Sequence, residues 1–370
     1  MDYGLSRRDE IIMQKLSYPG LFPICDLKGC MENGSISGSD ANTIKWQCSF
    51  DYAGDDLQDG DTIAISALLD NGYEQETVRL GTFRVFAGDE EGAYTAFSGY
   101  ALTKIADNTR FMEPYSVPAG DDPFVHIESI LKSVGLRIAY IPTGSHTVRT
   151  SKSYLPEKFT KLDIVNDLLD CAGYLAADTN PYGYVIFRQS TPTPNYSSIV
   201  FEEGEASIVE PDPKVERDWE DVANIVIVTC ENADDEVFRG IAVNDSLTDT
   251  MSTVFRGEVV RCETMQDADS QEVVDAKAIS LLMEECSKLE AVNITHAYRP
   301  LNLFDHVHIR IGKINNVYTV QSMDISLDVG LKTDTRVRRY IVWVFPYQKL
   351  KNYFNQPKIG DNRSPFSLAQ

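Results

Sequence analysis

The chain has 370 residues, 43 % hydrophobic and 24 % charged, and its 34 Lys and Arg against 56 Asp and Glu give a formal net charge of −22. A surface of that sign repels phosphates, which excludes nucleic-acid binding by clustered cations as the main activity. The composition is globular rather than disordered, and the length predicts two to four domains.

Residues 1–16 form an N-terminal segment with Arg7, Arg8, Asp9 and Glu10 and no apolar core of signal-peptide length, so no secretion is expected. Ile11, Ile12 and Leu16 suit either a docking helix over Ser6–Leu16 or a frayed terminus. No window approaches the ~20 apolar residues of a membrane span, which predicts no stable membrane insertion. Seven scattered cysteines predict reduced, mostly buried thiols.

From Asn42 to Ala101 the pattern is that of strands. Ile44, Trp46, Cys48, Phe50 and Tyr52 alternate with polar residues at period two; Thr62–Leu69, Thr77–Phe86 and Ala93–Tyr100 follow. Short strands at this spacing predict a first domain over residues 17–106 that is a small β-barrel or sandwich. At Asp122–Pro123 the period changes. Asp122 is placed to cap a helix that buries Phe124, Ile127, Ile130, Leu131 and Val134 and stops at Gly135. Thr160 and Asp163 form a capping-box variant before Leu162, Val165, Leu168, Leu169 and Ala172, with Gly173 ending the helix. With a strand at Tyr182–Arg188 and a loop at Ser190–Ser197, these helices predict an α/β domain over 107–198.

Strands return at Ile199–Glu202, Ala223–Cys230, Glu236–Asn244 and Glu258–Glu263. A helix over Ser270–Leu289 follows, with Val273, Ala276, Ile279, Leu282, Met283, Cys286 and Leu289 on its apolar side. Ala291–Ala297, Phe304–Ile311, Val317–Leu327 and Thr335–Val344 complete the pattern. The reading is a second β-rich domain over 199–245 and 291–345, an inserted helical segment at 246–290 and a C-terminal arm at 346–370, in all an α+β fold.

Candidate chemistry is sparse. Asp55–Asp61 has the composition of a calcium loop, but with Gly60 as the turn glycine Leu57 falls at a ligand position and Ser66 where a bidentate Glu belongs; a turn is the better reading. His306 and His308 share a strand face without a third ligand at recognisable spacing, and Cys25 and Cys30 have no second pair. Glu202, Glu203 and Glu205, or Glu284 and Glu285, could supply paired carboxylates for glycoside hydrolysis, yet such clusters arise by composition in an acidic chain. Nucleophile elbows, zinc-protease signatures and phosphate loops are missing from the sequence. Cys171 and Cys286 lie on apolar helix faces, where burial is the expectation. No catalytic, cofactor or metal residue is assigned, and the expected function is not enzymatic.

The order of elements resembles the hub proteins of phage baseplates and tail tips, including the N-terminal hub part of tail-associated lysins and relatives in phage-tail-like bacteriocins. The resemblance runs over residues 40–345. It rests on Leu57–Ile63, Val78–Val85, Phe97–Leu102, Leu162–Leu169 with Gly173, Val222–Val228, the helix from Ser270, and Arg299–Val307. Relatives often have Gly-Asp where this chain has Phe304–Asp305. The resemblance implies two tail-tube-like barrels per chain and a homotrimer that adapts the six-fold tail tube to a three-fold spike or fibre. It further implies contacts with the tube or distal tail ring, with a central spike, fibre or lysin, and with the end of the tape-measure protein. DNA would pass through the lumen without binding. The location implied is the virion, after synthesis in the bacterial host cytoplasm. A tail-associated cell-wall hydrolase and a host-receptor-binding module are the alternatives.

Overall fold

The computed structural model describes residues 8–144, 146–190, 199–204, 207–210, 213–217, 222–231, 237–247, 249–268 and 270–339. The expected C-terminal arm, the expected loop beyond Ser190, Glu205 and the end of the expected strand Thr335–Val344 lie outside the described residues.

The first lobe contains seven strands: β1 (Arg8–Leu16), β2 (Pro23–Asp26), β3 (Cys30–Ser39), β4 (Trp46–Ala53), β5 (Thr62–Asp70), β6 (Gln75–Glu91) and β7 (Tyr94–Ala101). The alternation in β4 works as the sequence predicts: Cys48, Phe50 and Tyr52 are buried, and the Phe50 ring stacks on Phe97 at 5.8 Å. Over Arg8–Leu16, the described part of the segment Ser6–Leu16, the expected docking helix is not what forms. Arg8–Leu16 pairs along its whole length with β5, Arg8 opposite Asp70 and Leu16 opposite Thr62. Ile11 and Met13 face the core at strand period, and the pairing satisfies a sheet edge that a helix would leave open. The first lobe therefore includes residues assigned to the N-terminal segment.

An α/β module follows, made of α1 (Thr103–Asp107), β8 (Tyr115–Val117), α2 (Pro123–Ser133), β9 (Lys152–Tyr154), α3 (Lys161–Cys171), β10 (Asp178–Thr179) and β11 (Val185–Ile186). Both predicted caps are present. Asp122 accepts the Phe124 N–H, and Thr160 and Asp163 bond reciprocally. The strand expected over Tyr182–Arg188 shortens to Val185–Ile186, because Asn180 Oδ1 draws the N–H groups of Tyr182 and Tyr184 into a turn.

The second half runs β12 (Ile199–Glu202), β13 (Lys214–Glu216), β14 (Ile225–Glu231), β15 (Val237–Val243), α4 (Thr253–Arg256), β16 (Val260–Met265), α5 (Gln271–Ser287), β17 (Ala291–Ala297), β18 (His306–Ile311), β19 (Ile314–Ser326) and β20 (Lys332–Arg339). The strands expected to join residues 291–345 do so only in part. β14 and β15 instead pair with β16 in a separate three-stranded sheet under α5, so the insertion between β13 and β17 is larger than the helical segment foreseen. Gly240 permits this packing: a Cβ there would stand 2.5 Å from the Val274 carbonyl oxygen of α5. The buried side of α5 is Val274, Ala278, Leu281, Leu282, Glu285 and Cys286, turned from the predicted face; Glu285 is buried because its charge is paired.

Once that insertion is set aside, the two lobes repeat. In the first, the neighbour order is β3-β4-β7-β6-β5-β1; in the second it is β13-β17-β20-β19-β18-β12. Matched strands also follow one another in the same order along the chain. The difference lies at one edge, where β1 runs antiparallel to β5 but β12 runs parallel to β18. The lobes merge into one 13-stranded, mostly antiparallel sheet because β19 also pairs with β3. Among the described residues its pairings trace an open path rather than a closed ring. One apolar core spans both lobes, from Met13 and Ile36 to Tyr318 and Val337.

Candidate assembly interface

Each lobe begins its central hairpin with the same turn. In the first, the Gln58 N–H donates to Asp61 Oδ2 at 2.9 Å, the Asp61 N–H to the Gln58 carbonyl at 3.1 Å, and the Gly60 N–H to the Val85 carbonyl at 2.8 Å; the Val85 N–H returns to the Asp61 carbonyl at 2.9 Å. In the second, Asn302, Asp305, Phe304 and Val320 make the same four bonds, at 2.8, 3.2, 2.9 and 2.9 Å in that order. The third turn residue has positive φ in both, +80° at Gly60 and +70° at Phe304. Phe304 thus adopts the backbone conformation that favours glycine, held there by its N–H bond and by packing under the Arg188 guanidinium, 5.4 Å from its ring. This resolves the Phe-Asp departure noted above: the turn is retained.

The junction between lobes is a strand pair. Ser35–Ser39 of β3 runs antiparallel to Ser322–Ser326 of β19, Ser39 opposite Ser322 and Ile36 opposite Ile325. Backbone bonds extend it at both ends, from the Asp40 N–H to the Gln321 carbonyl and from the Leu327 N–H to the Gly34 carbonyl. Ile36, Met323 and Ile325 are buried on the core side, while serines and Asp324 occupy the other. Gly38 is required by proximity, since a Cβ there would meet the Trp46 ring at 2.5 Å. Over the junction lies a surface depression of about 430 Å³ whose lining includes Asn293, Asp324, Asp334 and Arg336. Burial, then the nearby Asp334 charge, raises the Asp324 carboxyl above its ordinary value.

Two strand edges correspond to this junction but carry no strand partner among the described residues. One is the far end of β6 from Ala87 to Glu91, where Asp89, Glu90 and Glu91 are exposed. The other is the outer edge of β13, where Lys214 and Arg217 are exposed.

Most residues weighed for chemistry are engaged in structure. Asp56 accepts the Tyr52 hydroxyl at 2.6 Å and the Lys28 N–H at 2.9 Å, bonds that hold its carboxyl below the usual range. Asp59 accepts the Ala87 N–H, and Asp61 also pairs with Lys15 at 2.6 Å. His306 and His308 do share a strand, but bond separately to Thr319 and Asn315. Burial lowers the pKa of His306 against the opposing pull of Asp305. Glu203 accepts the Gly312 N–H. Glu285 binds Arg261 at 2.7 Å and Lys288 at 2.5 Å; burial alone would raise its pKa, but these bonds outweigh it and hold the carboxyl below its ordinary value. The four cysteines Cys48, Cys171, Cys230 and Cys286 are buried, while Cys25, Cys30 and Cys262 are exposed. No group of three or more His, Cys, Asp or Glu residues among the described residues is arranged to hold a metal ion. Among them no helix is long and apolar enough to cross a membrane.

A polar cluster that the sequence reading missed ties the modules together. Lys152 Nζ lies 2.7 Å from Asp167 and 2.8 Å from Cys171 Sγ, Tyr154 donates to Asp167 at 2.5 Å, and the Thr150 N–H reaches Asp267 beyond β16 at 3.2 Å. Burial pushes the Cys171 thiol up to about 12 despite the adjacent Lys152. Lys277 of α5 adds an ion pair to Asp170 at 2.6 Å. Nothing in the spacing of these residues announces the cluster.

No family model matches the sequence, and no curated protein matches it. Solved structures do. The chain is similar to a tail protein from Neisseria meningitidis MC58, with 12 % identity, TM-score 0.59 and coverage of 90 % of this chain and 96 % of that one. It is similar to the 43 kDa tail protein of prophage MuSo2 from Shewanella oneidensis, with 11 % identity, TM-score 0.58 and coverage of 90 % and 98 %. A third is the prophage tail protein gp18 from Listeria monocytogenes EGD-e, with 10 % identity, TM-score 0.51 and coverage of 93 % and 98 %. Over nine-tenths of its length the chain therefore has the fold of these tail proteins.

Proposed function

We propose that this chain is a structural hub of a phage tail tip or baseplate, in which three copies form a ring and no copy performs catalysis. The observation that carries the reading is the internal repeat: six matched strands and two identically bonded turns in a chain with a tail-protein fold. Three chains with two like lobes each present six lobes, which suits a junction between a six-fold tube and a three-fold spike or fibre. Each lobe is read as a tube-like barrel unit, with the α/β module and the α5 module placed outside the repeat. The partners in this reading are the tube or distal tail ring, a central spike, fibre or lysin, and the end of the tape-measure protein. The protein then resides in the virion.

The engaged state of Glu203 and Glu285 supports a non-enzymatic role, since a glycosidase needs a pair of carboxylates open to substrate. The net charge of −22 fits a lumen that repels the DNA backbone during passage. Light scattering on the purified chain, alone and with neighbouring tail proteins, tests the ring: a discrete three-chain species is expected, and a strict monomer in every condition removes the reading. A lumen lined by neutral or basic residues in the imaged ring would remove the electrostatic part.

A further inference from the structure

The internal repeat has matched pairs for every strand of the lobe junction except in one direction. β19 of the second lobe pairs with β3 of the first. The counterpart of β19 is β6, and the counterpart of β3 is β13. Applying the repeat once more places the far end of β6 against β13. Both edges lack a strand partner there among the described residues.

The register follows from two independent routes. Val85 and Val320 hold the same place because each exchanges two bonds with its turn. Stepping across the sheets from them gives Gly99 and Val337, then Cys48 and Val292, then Ile36 and Val215 as matched residues. Along the other direction, Glu90 opposes Thr95 as Ile325 opposes Thr333, four residues down the same matched strands. Ile325 opposes Ile36, so its match Glu90 opposes the match of Ile36, which is Val215. Ser326 opposite Ser35 likewise puts Glu91 opposite Lys214.

We infer that the Gly88–Glu91 edge of one copy pairs antiparallel with the Lys214–Arg217 edge of the next copy, Glu91 opposite Lys214, repeating between chains the junction that β3 and β19 make within one. The occupant is a second copy of this chain, and this inference rests on the ring reading proposed above. Charge complementarity argues for it. The in-chain junction is lined by Ser, Gly and apolar residues with one carboxylate, Asp324, whereas the two separate edges differ in sign: Asp89, Glu90 and Glu91 on one, Lys214 and Arg217 flanking Glu216 on the other. In this register Asp89 falls opposite Glu216, whose like charge is held by Lys214 at 2.8 Å and by Arg336 at 2.9 Å, while Arg217, paired with Glu290 at 3.1 Å, falls opposite Gly88; the opposite-charge pair is Glu91 with Lys214. Opposite charges across a strand pair favour one register and one partner. The interface is heterologous, so identical steps close into a ring or continue as a filament.

The test uses the full chain with the exposed Cys25, Cys30 and Cys262 changed to Ser, carrying Glu91→Cys and Lys214→Cys together. Mild oxidation is expected to link chains into dimers and closed trimers on non-reducing gels. Glu91→Cys with Arg217→Cys, three positions out of register, is expected to link far less. In parallel, Glu91→Lys is expected to weaken assembly about tenfold, and adding Lys214→Glu to restore it. A three-chain oligomer that neither cross-links at 91 and 214 nor responds to the charge exchange overturns the edge pairing and leaves the ring. Linked ladders that run past three copies uphold the pairing and remove the closed ring. A monomer in all conditions, with neighbouring tail proteins present, overturns both.

Discussion

Asp61 and Asp305 do the same work 244 positions apart in number: each carboxylate accepts the N–H three residues before it, Gln58 at 2.9 Å and Asn302 at 2.8 Å, and each carbonyl receives the next hairpin strand. A bond to a charged acceptor contributes about 1.5–3 kcal/mol. Asp305→Ala is expected to destabilise by roughly that amount in urea unfolding, and Asp305→Asn by less because an acceptor remains. Asp61→Ala should cost more than Asp305→Ala, since it also removes the pair with Lys15.

The turn position before each aspartate separates conformation from space. A Cβ at Gly60 meets nothing closer than an Arg84 guanidinium nitrogen at 3.4 Å, so Gly60→Ala is penalised by its φ of +80° alone. The expected loss is about 1–2 kcal/mol, with Gly60→Asn milder. Phe304→Gly gains that conformational term and loses a half-buried ring under Arg188; a net change near zero is expected from thermal unfolding.

Glu285 sets a pH dependence. Its folded pKa lies below the ordinary 4.5, so its contribution is complete above pH 4.5 and is lost as pH falls through the lowered folded value. Glu285→Gln should flatten the acid limb of the stability curve in that window. Glu285→Ala should cost about 3 kcal/mol, the lower end for breaking a buried pair, because the Arg261 side chain keeps 32 % exposure.

Thiol reactivity should divide the cysteines. Ellman's reagent on the native chain is expected to modify Cys25, Cys30 and Cys262 rapidly; Cys48, Cys171, Cys230 and Cys286, which are buried and have raised thiol pKa values, should react only after unfolding. Fast loss of a fourth thiol from the native chain would contradict this division.

Gly240→Ala would drive a methyl group into the Val274 carbonyl, a backbone atom that can yield only if α5 moves. A loss of about 1–3 kcal/mol is expected, with faster amide exchange confined to α5 and β14–β16.

Legibility in the sequence followed the strength of local signals. The caps at Asp122 and Thr160, the alternation through Phe50 and the turn at Asp59–Gly60 are written in residues whose conformational preferences are local, and all were readable. β3 was not, because Gly34, Ser35, Ser37, Gly38 and Ser39 have weak strand propensity; that strand is specified by its neighbours Trp46 and Leu327. The orientation of α5 failed for the opposite reason. Apolar residues surround much of that helix, and the inward charge of Glu285 depends on Arg261, which sits on another element. The repeat itself was hidden by Phe304, where a residue unlike glycine adopts its conformation, and by insertions of unequal size.

The β3–β19 junction has a consequence for synthesis on the ribosome. β3 is made early, yet its partner edge comes from the far end of the fold; Gln321 and Asp40, which bond across the end of the junction, are 281 residues apart. At about 5–20 residues per second, that edge waits for roughly 15–60 seconds before its partner emerges. Its short polar side chains and glycines suit such a wait, since a flat apolar edge left open for that time would recruit other nascent chains. The same weak strand signal that concealed β3 from sequence reading keeps it unreactive until the second lobe arrives.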